Sequence, residues 1–261
     1  MMTYKTIKLE EDGRGISTLT LARAEKHNAL NVEMMDELTA AAREIANSQT
    51  IRAVILAAEG RSFCAGGDLN WMRAQADKSE AERVSEGMRL ATMLQALDDL
   101  PKPLIGKIHG NAFGGGVGMM CVCDIVLAAD HAKFGLTETK LGLIPATIGP
   151  FVSRRLGEGA SRRLFMNSKV FGCDIGLQVG LVSEVFAAEA LDAGAMLEAE
   201  AFLQCAPGAV ADAKAFAKYL ARTPVDPTDY TAARLSERWA NEESAEGISA
   251  FFEKRKPKWI S

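Results

Sequence analysis

Short apolar runs and longer amphipathic stretches alternate along the first two thirds of the chain. Four short runs, rich in Val, Ile and Leu, predict strands. They are residues 16–23, 52–58, 104–110 and 124–130. Residues 31–47 and 78–99 carry apolar side chains at three- and four-residue intervals, which predicts helices, the first with Asn31 as its N-cap. Strands that alternate with helices predict an α/β fold with mainly parallel strand pairing.

The pattern changes at about residue 186. Three Ala-rich stretches follow with helical periodicity, and breaks are expected at Pro207 and at the prolines 224 and 227. The stretches are residues 188–206, 208–222 and 227–256. We therefore predict a core that holds the active site over residues 1–195 and a helical C-terminal region over residues 196–261.

Composition narrows the classes of function. The chain of 261 residues has a formal net charge of -4, which argues against a nucleic-acid partner. No apolar stretch is long enough to span a membrane, and the N-terminus lacks the apolar segment of a signal peptide. The odd number of cysteines favours a reducing, cytoplasmic setting. They are Cys64, Cys121, Cys123, Cys173 and Cys205.

The histidines do not indicate a metal site, and the one cluster of basic residues has two interpretations. His27, His109 and His131 have no metal-ligand spacing, so no metal site is expected. Residues 254–258 form the one basic cluster. Such a cluster suits a solvated helix end, and it equally suits contact with a ligand phosphate.

Two glycine-rich loops follow predicted strands and precede likely helix starts. They are residues 59–72 and residues 110–120. The first N–H groups of a helix have no intrahelical partner. Two such loops side by side would aim two N–H groups at one oxygen, which is the geometry of an oxyanion hole. For residues 110–118 taken alone, close packing explains the glycines equally well.

Other glycine motifs do not fit these loops. Residues 114–118 lack the spacing of a dinucleotide fingerprint, and Lys107 is followed by Ile108 rather than by the Ser or Thr of a P-loop. No G-x-S-x-G stretch is present, which argues against an α/β-hydrolase.

Taken together, five stretches resemble the enoyl-CoA hydratase/isomerase, or crotonase, family. The stretches look like a first CoA-binding segment, two oxyanion-hole segments, a catalytic acid/base segment and a C-terminal CoA-contacting helix. They are "ARAEKHNALN" (22–31), "FCAGGDL" (63–69), "HGNAFGGGVGMMCVCDIVLAAD" (109–130), "FGLTETKLGLIP" (134–145) and "ISAFFEKRKPKW" (248–259). The resemblance covers essentially the whole chain.

The resemblance implies a crotonase-like spiral of ββα units followed by helices that build trimers, often stacked as hexamers. It implies an acyl-CoA thioester substrate with no separate cofactor, since coenzyme A is part of the substrate. Gly67 and Gly115 would donate their N–H groups to the thioester oxygen, and Glu138 would act as acid/base. The implied substrate and CoA contacts are Lys26, Ala29, Ala65, Asp68, Leu69, Gly114, Phe251 and Lys254, with the last two expected to reach CoA across a subunit boundary.

The chain departs from the family at residue 118. Many hydratases of this family carry two glutamates at the spacing of positions 118 and 138, but position 118 is glycine here. A single glutamate suits a Δ3,Δ2-enoyl-CoA isomerase, and it also suits a hydratase in which another group holds the water. The groups considered for that task are Asn70, Trp71, Thr147, Arg154 and the second carboxylate of a substrate.

A finer resemblance favours the hydratase. The stretches 64–72, 114–124 and 145–158 are similar to bacterial 3-methylglutaconyl-CoA hydratases, and "ATIGPFVSRR" replaces the usual glycines followed by Thr-Gln-Arg. A short branched or carboxylated acyl-CoA such as 3-methylglutaconyl-CoA is therefore the expected substrate, with Arg154 or Arg155 as the cation for its carboxylate. A CoA-ligand or RNA-binding protein with a decayed site is the non-enzymatic alternative, which the retained Glu138 disfavours.

Overall fold

The computed structural model describes residues 3–222 and 228–260. Its strands are β1 (Ile7–Glu11), β2 (Ile16–Leu21), β3 (Ala53–Ala58), β4 (Ser62–Cys64), β5 (Leu104–Ile108), β6 (Asn111–Phe113), β7 (Ile125–Ala129), β8 (Phe134–Gly135) and β9 (Glu184–Phe186). Its α-helices are α1 (Val32–Asn47), α2 (Leu69–Ala74), α3 (Glu80–Asp98), α4 (Gly115–Val122), α5 (Gly149–Asn167), α6 (Cys173–Gln178), α7 (Leu191–Leu203), α8 (Pro207–Arg222), α9 (Thr228–Trp239) and α10 (Glu242–Glu253).

The strands form two sheets. The larger has six strands in the order β1-β2-β3-β5-β7-β9, and the smaller has three in the order β4-β6-β8. Only the β1–β2 hairpin is antiparallel among these pairs, and all other neighbours run parallel. The prediction of an α/β fold with mainly parallel pairing is therefore confirmed.

The chain winds as a spiral between the two sheets. Three successive turns each place a longer strand in the large sheet and a short strand in the small one: β3 then β4, β5 then β6, and β7 then β8. Because the short strands are parallel neighbours, the segments that leave them emerge at the same edge. The two glycine loops and the segment of Glu138 thus meet there.

Helix α1 shows how signals in the local sequence predict a helix. The Asn31 side chain accepts a hydrogen bond from the N–H of Met34 at 3.0 Å, as an N-cap does. On the apolar face of α1, Leu38 and Ile45 are fully buried against the large core. Asn31 and the apolar stripe are both local signals, so the predicted helix 31–47 matches α1 within one residue.

The large sheet is buried on both faces. Val54 and Leu56 of β3 point into a core shared with α1, α3 and α4, while Ile55 points to the opposite face. Helix α7 covers that opposite face with Leu191, Ala195 and Ala199. Burial on both faces explains why the strands read as continuous apolar runs rather than as alternating ones.

Several features differ from the sequence predictions. Pro207 is the first residue of α8 rather than only a break, because the first turn of a helix needs no N–H from it. The boundary placed between residues 195 and 196 falls inside α7, which packs across the sheet. The stretch 227–256 divides into two helices, and the break predicted at residues 224–227 lies outside the described residues.

The strands that the pattern did not predict are β1, the short strands of the small sheet and β9. The small-sheet strands have three residues or fewer, too short for a periodic signal. Within residues 3–222 and 228–260, no helix is long and apolar enough to cross a membrane.

Candidate active site

The first glycine loop is held by Leu30, the residue before the N-cap of α1. Leu30 donates its N–H to the carbonyl of Gly66 at 2.7 Å and accepts a hydrogen bond from the N–H of Asp68 at 2.9 Å. This pairing forms a short parallel bridge between Leu30 and Gly67. The Gly67 N–H itself has no acceptor among the described residues.

The second glycine loop turns sharply into α4. Gly114 has a φ of 48° and a ψ of -114°, a conformation that side chains disfavour. Its N–H donates to the carbonyl of Gly135 at 3.0 Å, which ties the loop to β8. Gly115 is the first residue of α4, and its N–H has no acceptor in the described part of the chain, as expected at a helix start.

The two loops lie against each other. A β-carbon on Gly66 would lie 3.1 Å from the Phe113 carbonyl oxygen and 3.8 Å from the Gly114 Cα. A β-carbon on Gly115 would lie 2.6 Å from Cδ1 of Leu30, so the same leucine that pairs with the first loop also packs on the second. The structure therefore brings together the two unpaired N–H groups predicted from the sequence.

Glu138 lies beside this pair. Its Oε1 is 3.1 Å from where a β-carbon of Gly114 would stand. Its Oε2 is buried and has no hydrogen-bond partner among the described residues. Burial raises the pKa of the Glu138 carboxyl above its ordinary value, and only its own backbone N–H opposes this shift. A buried carboxylate oxygen without a partner is costly, so such a group marks a place where a ligand completes the site.

Asp68 has a different environment. One carboxylate oxygen accepts hydrogen bonds from the N–H groups of Asn70 and Trp71, which caps α2, and the other accepts one from Arg23 at 3.0 Å. Burial alone would raise the pKa of Asp68, but these donors hold it below its usual value. The structure gives this carboxylate a scaffolding role, and its contact with CoA stays a prediction.

The other predicted CoA contacts of the N-terminal half lie near one another, next to the Gly67 loop. Ala29 donates its N–H to the carbonyl of Lys26 at 3.0 Å, and Ala65 donates to the carbonyl of His27 at 3.0 Å. Lys26 and Ala65 are exposed, while Ala29 is buried. Leu69 follows at the start of α2 with 73 % of its surface exposed. These residues are thus neighbours of the Gly67 loop, and their contact with CoA stays a prediction.

Phe251 and Lys254 lie elsewhere in the chain. Phe251 is 78 % exposed on α10, and Lys254 follows that helix in the left-handed conformation. No hydrogen bond or ion pair joins either side chain to the glycine loops within the described ranges. The prediction that they reach CoA across a subunit boundary stays a prediction.

The two arginines expected to bind a substrate carboxylate are already engaged. Arg154 pairs with Asp98 at 3.0 Å and lies over the ring of Phe151. Arg155 donates to the backbone carbonyls of Cys123 and Gly180. Both groups already stabilise the packing of α5, and the expectation that one of them binds a substrate carboxylate stays a prediction.

Trp71 does not replace a catalytic acid either. Its indole N–H donates to Glu86 Oε2 at 2.9 Å, and Glu86 also pairs with Lys78 at 2.6 Å. The Trp71 ring instead packs on the first loop, 3.4 Å from where a β-carbon of Gly67 would stand. Asn70 is exposed at the first turn of α2, and the Thr147 hydroxyl lies next to Gly87 of α3.

Sequence reasoning missed two residues that position the site. Leu30 holds both glycine loops, as described above. Asn28 is fully buried with a φ of 53°, and its side chain donates to the carbonyls of Glu59 and Ser62 and accepts from the Arg23 N–H. Asn28 follows Glu25, Lys26 and His27 in a polar stretch, so the sequence carried no signal that this side chain is buried. Among the described residues, no group of three His, Cys, Asp or Glu side chains is arranged to hold a metal ion.

Comparison with known proteins places this geometry in a family. The family model described as enoyl-CoA hydratase/isomerase matches residues 11–261. The chain belongs to the enoyl-CoA hydratase/isomerase family. It has the crotonase fold, and it is an enzyme, so the non-enzymatic alternative loses its support.

Curated relatives and solved structures agree with this placement. The chain is 32% identical to a probable enoyl-CoA hydratase of Mycobacterium tuberculosis over 99% of each chain, and 30% identical to a crotonyl-CoA hydratase of Syntrophomonas wolfei over 100% of each. An enoyl-CoA hydratase of Shewanella pealeana superposes with a TM-score of 0.94 at 35% identity, over 98% of this chain and 96% of that one. Pseudomonas aeruginosa AtuE gives a TM-score of 0.93 at 35% identity, over 98% and 100%.

Proposed function

We propose that this enzyme adds water across the C=C bond of a 2-enoyl-CoA, with Glu138 as its single carboxylate acid/base. The observation that carries the proposal is the unpartnered, buried Oε2 of Glu138 beside two unpaired N–H groups. The names of the curated relatives favour hydration over isomerisation of a 3-enoyl-CoA.

The chemistry needs few groups. The N–H groups of Gly67 and Gly115 stabilise the negative charge that develops on the thioester oxygen. The water oxygen bonds to the β-carbon, Glu138 takes the proton that the water loses, and the same carboxyl returns a proton to the α-carbon. The carboxylate ends as it began, and the substrate has gained one water. A raised pKa suits a group that must both accept and donate a proton near neutral pH.

Apolar side chains around the site support an acyl substrate. Leu69 borders the first loop, and Leu141, Leu143 and Ile144 follow Glu138, all of them exposed by half or more. Exposed large apolar side chains grouped at one site commonly mark a ligand surface. That the acyl group is short and branched or carboxylated, as in 3-methylglutaconyl-CoA, stays a prediction. These exposed apolar side chains support the hydrocarbon part of such an acyl group.

Product mass tests the proposal directly. The protein is incubated separately with crotonyl-CoA, 3-methylcrotonyl-CoA and 3-methylglutaconyl-CoA, and each product is weighed by mass spectrometry. A gain of one water with any of them is the expected result. No gain with all three, together with conversion of a 3-enoyl-CoA to its 2-enoyl isomer at constant mass, would contradict hydration and establish the isomerase instead.

A further inference from the structure

Residue 118 lies about one helical turn beyond Gly115, one of the two proposed oxyanion-hole residues. Gly115 and Gly118 are three residues apart on α4 and therefore lie on the same face of that helix. One helical turn advances by about 5 Å. If the Gly115 N–H holds the thioester oxygen, an acyl group that extends along this face of α4 brings the carbons beyond its C=C bond near residue 118.

Ile148 occupies the volume next to Gly118. A β-carbon on residue 118 would lie 2.8 Å from Cγ2 of Ile148 and 3.1 Å from its Cβ, closer than packed carbons allow. The next nearest atom is Cδ1 of Leu94 on α3, at 3.5 Å. Leu94 and Ile148, which we call the acyl wall, are both buried.

The Ile148 side chain has little freedom to move aside. Its carbonyl accepts the N–H groups of Phe151 at 3.1 Å and Val152 at 3.0 Å, and the Gly149 N–H is fixed to the Pro145 carbonyl at 2.8 Å. A β-branched side chain on a backbone fixed in this way has few rotamers. The neighbouring Thr147 directs its hydroxyl towards α3, where it lies 3.8 Å from where a β-carbon of Gly87 would stand.

We propose that Ile148 determines the length of acyl group that this enzyme accepts, a role that rests on the proposed hydration. The wall ends the acyl site with two aliphatic side chains where a residue with a carboxylate has no room. Larger acyl groups meet Cγ2 of Ile148 and Cδ1 of Leu94, and short ones stop before them. The same contact explains why residue 118 is glycine.

The test compares two substrates in four proteins. Crotonyl-CoA and 2-hexenoyl-CoA differ by two methylene groups at the far end of the acyl chain. Their kcat/KM values are measured for the wild type and for Ile148→Val, Ile148→Ala and Leu164→Ala. Leu164 is a buried α5 residue that loses as many carbons on truncation, so it controls for a loosened core.

We expect Ile148→Ala to raise the ratio of hexenoyl to crotonyl kcat/KM by about 10-fold or more, since one methylene in an apolar pocket changes this ratio by that order. Ile148→Val should move the ratio in the same direction by less, and it keeps the test valid if the alanine variant folds poorly. A ratio that stays constant in both Ile148 variants, or that shifts equally in Leu164→Ala, would overturn the proposal.

A stability measurement checks the contact without any substrate. Gly118→Ala should lower Tm in the wild type, because the new methyl group meets Ile148. In an Ile148→Gly background the same change should raise Tm, since alanine is favoured over glycine inside a helix. Equal shifts in both backgrounds would remove the steric basis of the proposal. Opposite signs of the two Tm shifts establish the contact whatever the enzyme does. If the wild type hydrates neither these two substrates nor 3-methylcrotonyl-CoA and 3-methylglutaconyl-CoA, the proposed hydration fails and the role of Ile148 in it fails too. If it hydrates them but the ratio is unchanged in the Ile148 variants, only the role of Ile148 fails.

Discussion

Asp68 and Glu138 are two carboxylates at the edges of the same site, and their surroundings are opposite. Asp68 receives hydrogen bonds from Arg23 and from two backbone N–H groups at the start of α2. Glu138 has a buried oxygen that receives none from the described residues. The pKa of Asp68 is lowered by its donors despite burial, and the pKa of Glu138 is raised by burial.

This difference supports the two proposed roles, structural for Asp68 and catalytic for Glu138. A buried charge with several donors stabilises the loop that carries it. A buried carboxylate oxygen without a donor costs stability, and groups of this kind concentrate at functional sites. Substitutions of the two carboxylates test this contrast, and substitutions of the two oxyanion glycines test the geometry beside Glu138.

Replacing Glu138 by glutamine should give the largest loss. Glu138→Gln keeps the shape of the side chain but removes the proton acceptor, and loss of a general acid/base typically costs about 10²- to 10⁴-fold in rate. The kcat for the best substrate is the measurement. Asp68→Asn is the matched control, because it removes the other carboxylate and should retain most of the turnover per folded molecule. Wild-type kcat in Glu138→Gln would exclude Glu138 from the mechanism.

The two oxyanion glycines should differ in their tolerance of alanine. Gly115→Ala forces a methyl group to 2.6 Å from Leu30, whereas Gly67→Ala meets Trp71 and Met72 at ordinary contact distances near 3.4 Å. Displacement of one oxyanion donor typically costs about 10²- to 10³-fold in kcat, so Gly115→Ala should lose that much and Gly67→Ala clearly less. Equal losses in kcat/KM would show that packing around the loops does not set the donor geometry.

Asp68→Asn should reduce stability rather than catalysis. The change leaves the Arg23 guanidinium, whose side chain is 14% exposed, without its carboxylate. Loss of a hydrogen-bonded charge pair with this much burial should cost about 1 to 3 kcal/mol of unfolding free energy. Urea denaturation at pH 7 measures it. A midpoint identical to that of the wild type would mean that Arg23 finds an equivalent acceptor.

The pH dependence of stability should carry opposite signs for the two carboxylates. The folded-state pKa of Asp68 is lowered, so its stabilisation is present above its unfolded-state pKa and is lost as pH falls through the folded-state value. The folded-state pKa of Glu138 is raised, so its cost is absent below the unfolded-state pKa and is complete above the folded-state value. Glu138→Gln should therefore raise Tm slightly at pH 8 and leave it unchanged at the acid end. A Tm gain that grows as pH falls would contradict this assignment.

The sequence alone determined the parts whose cause is local. Asn31 and the apolar stripe behind it predicted α1, and continuous apolar runs predicted the central parallel strands. The glycine loops predicted two unpaired N–H groups, because the first N–H groups of a helix have no intrahelical partner. The family resemblance assigned these groups to Gly67 and Gly115. Glu138 was found by its segment, which resembles the acid/base segment of the family.

Only the tertiary structure decided what lies next to these residues. No pattern along the chain shows that Leu30 fixes both glycine loops, that Arg154 pairs with Asp98, or that Ile148 stands where residue 118 would place a side chain. Each of these contacts joins residues that are far apart in sequence, and long-range packing depends on the whole fold rather than on a local preference. A local sequence therefore specifies which group is present, while the fold determines whether that group is already paired or left open for chemistry.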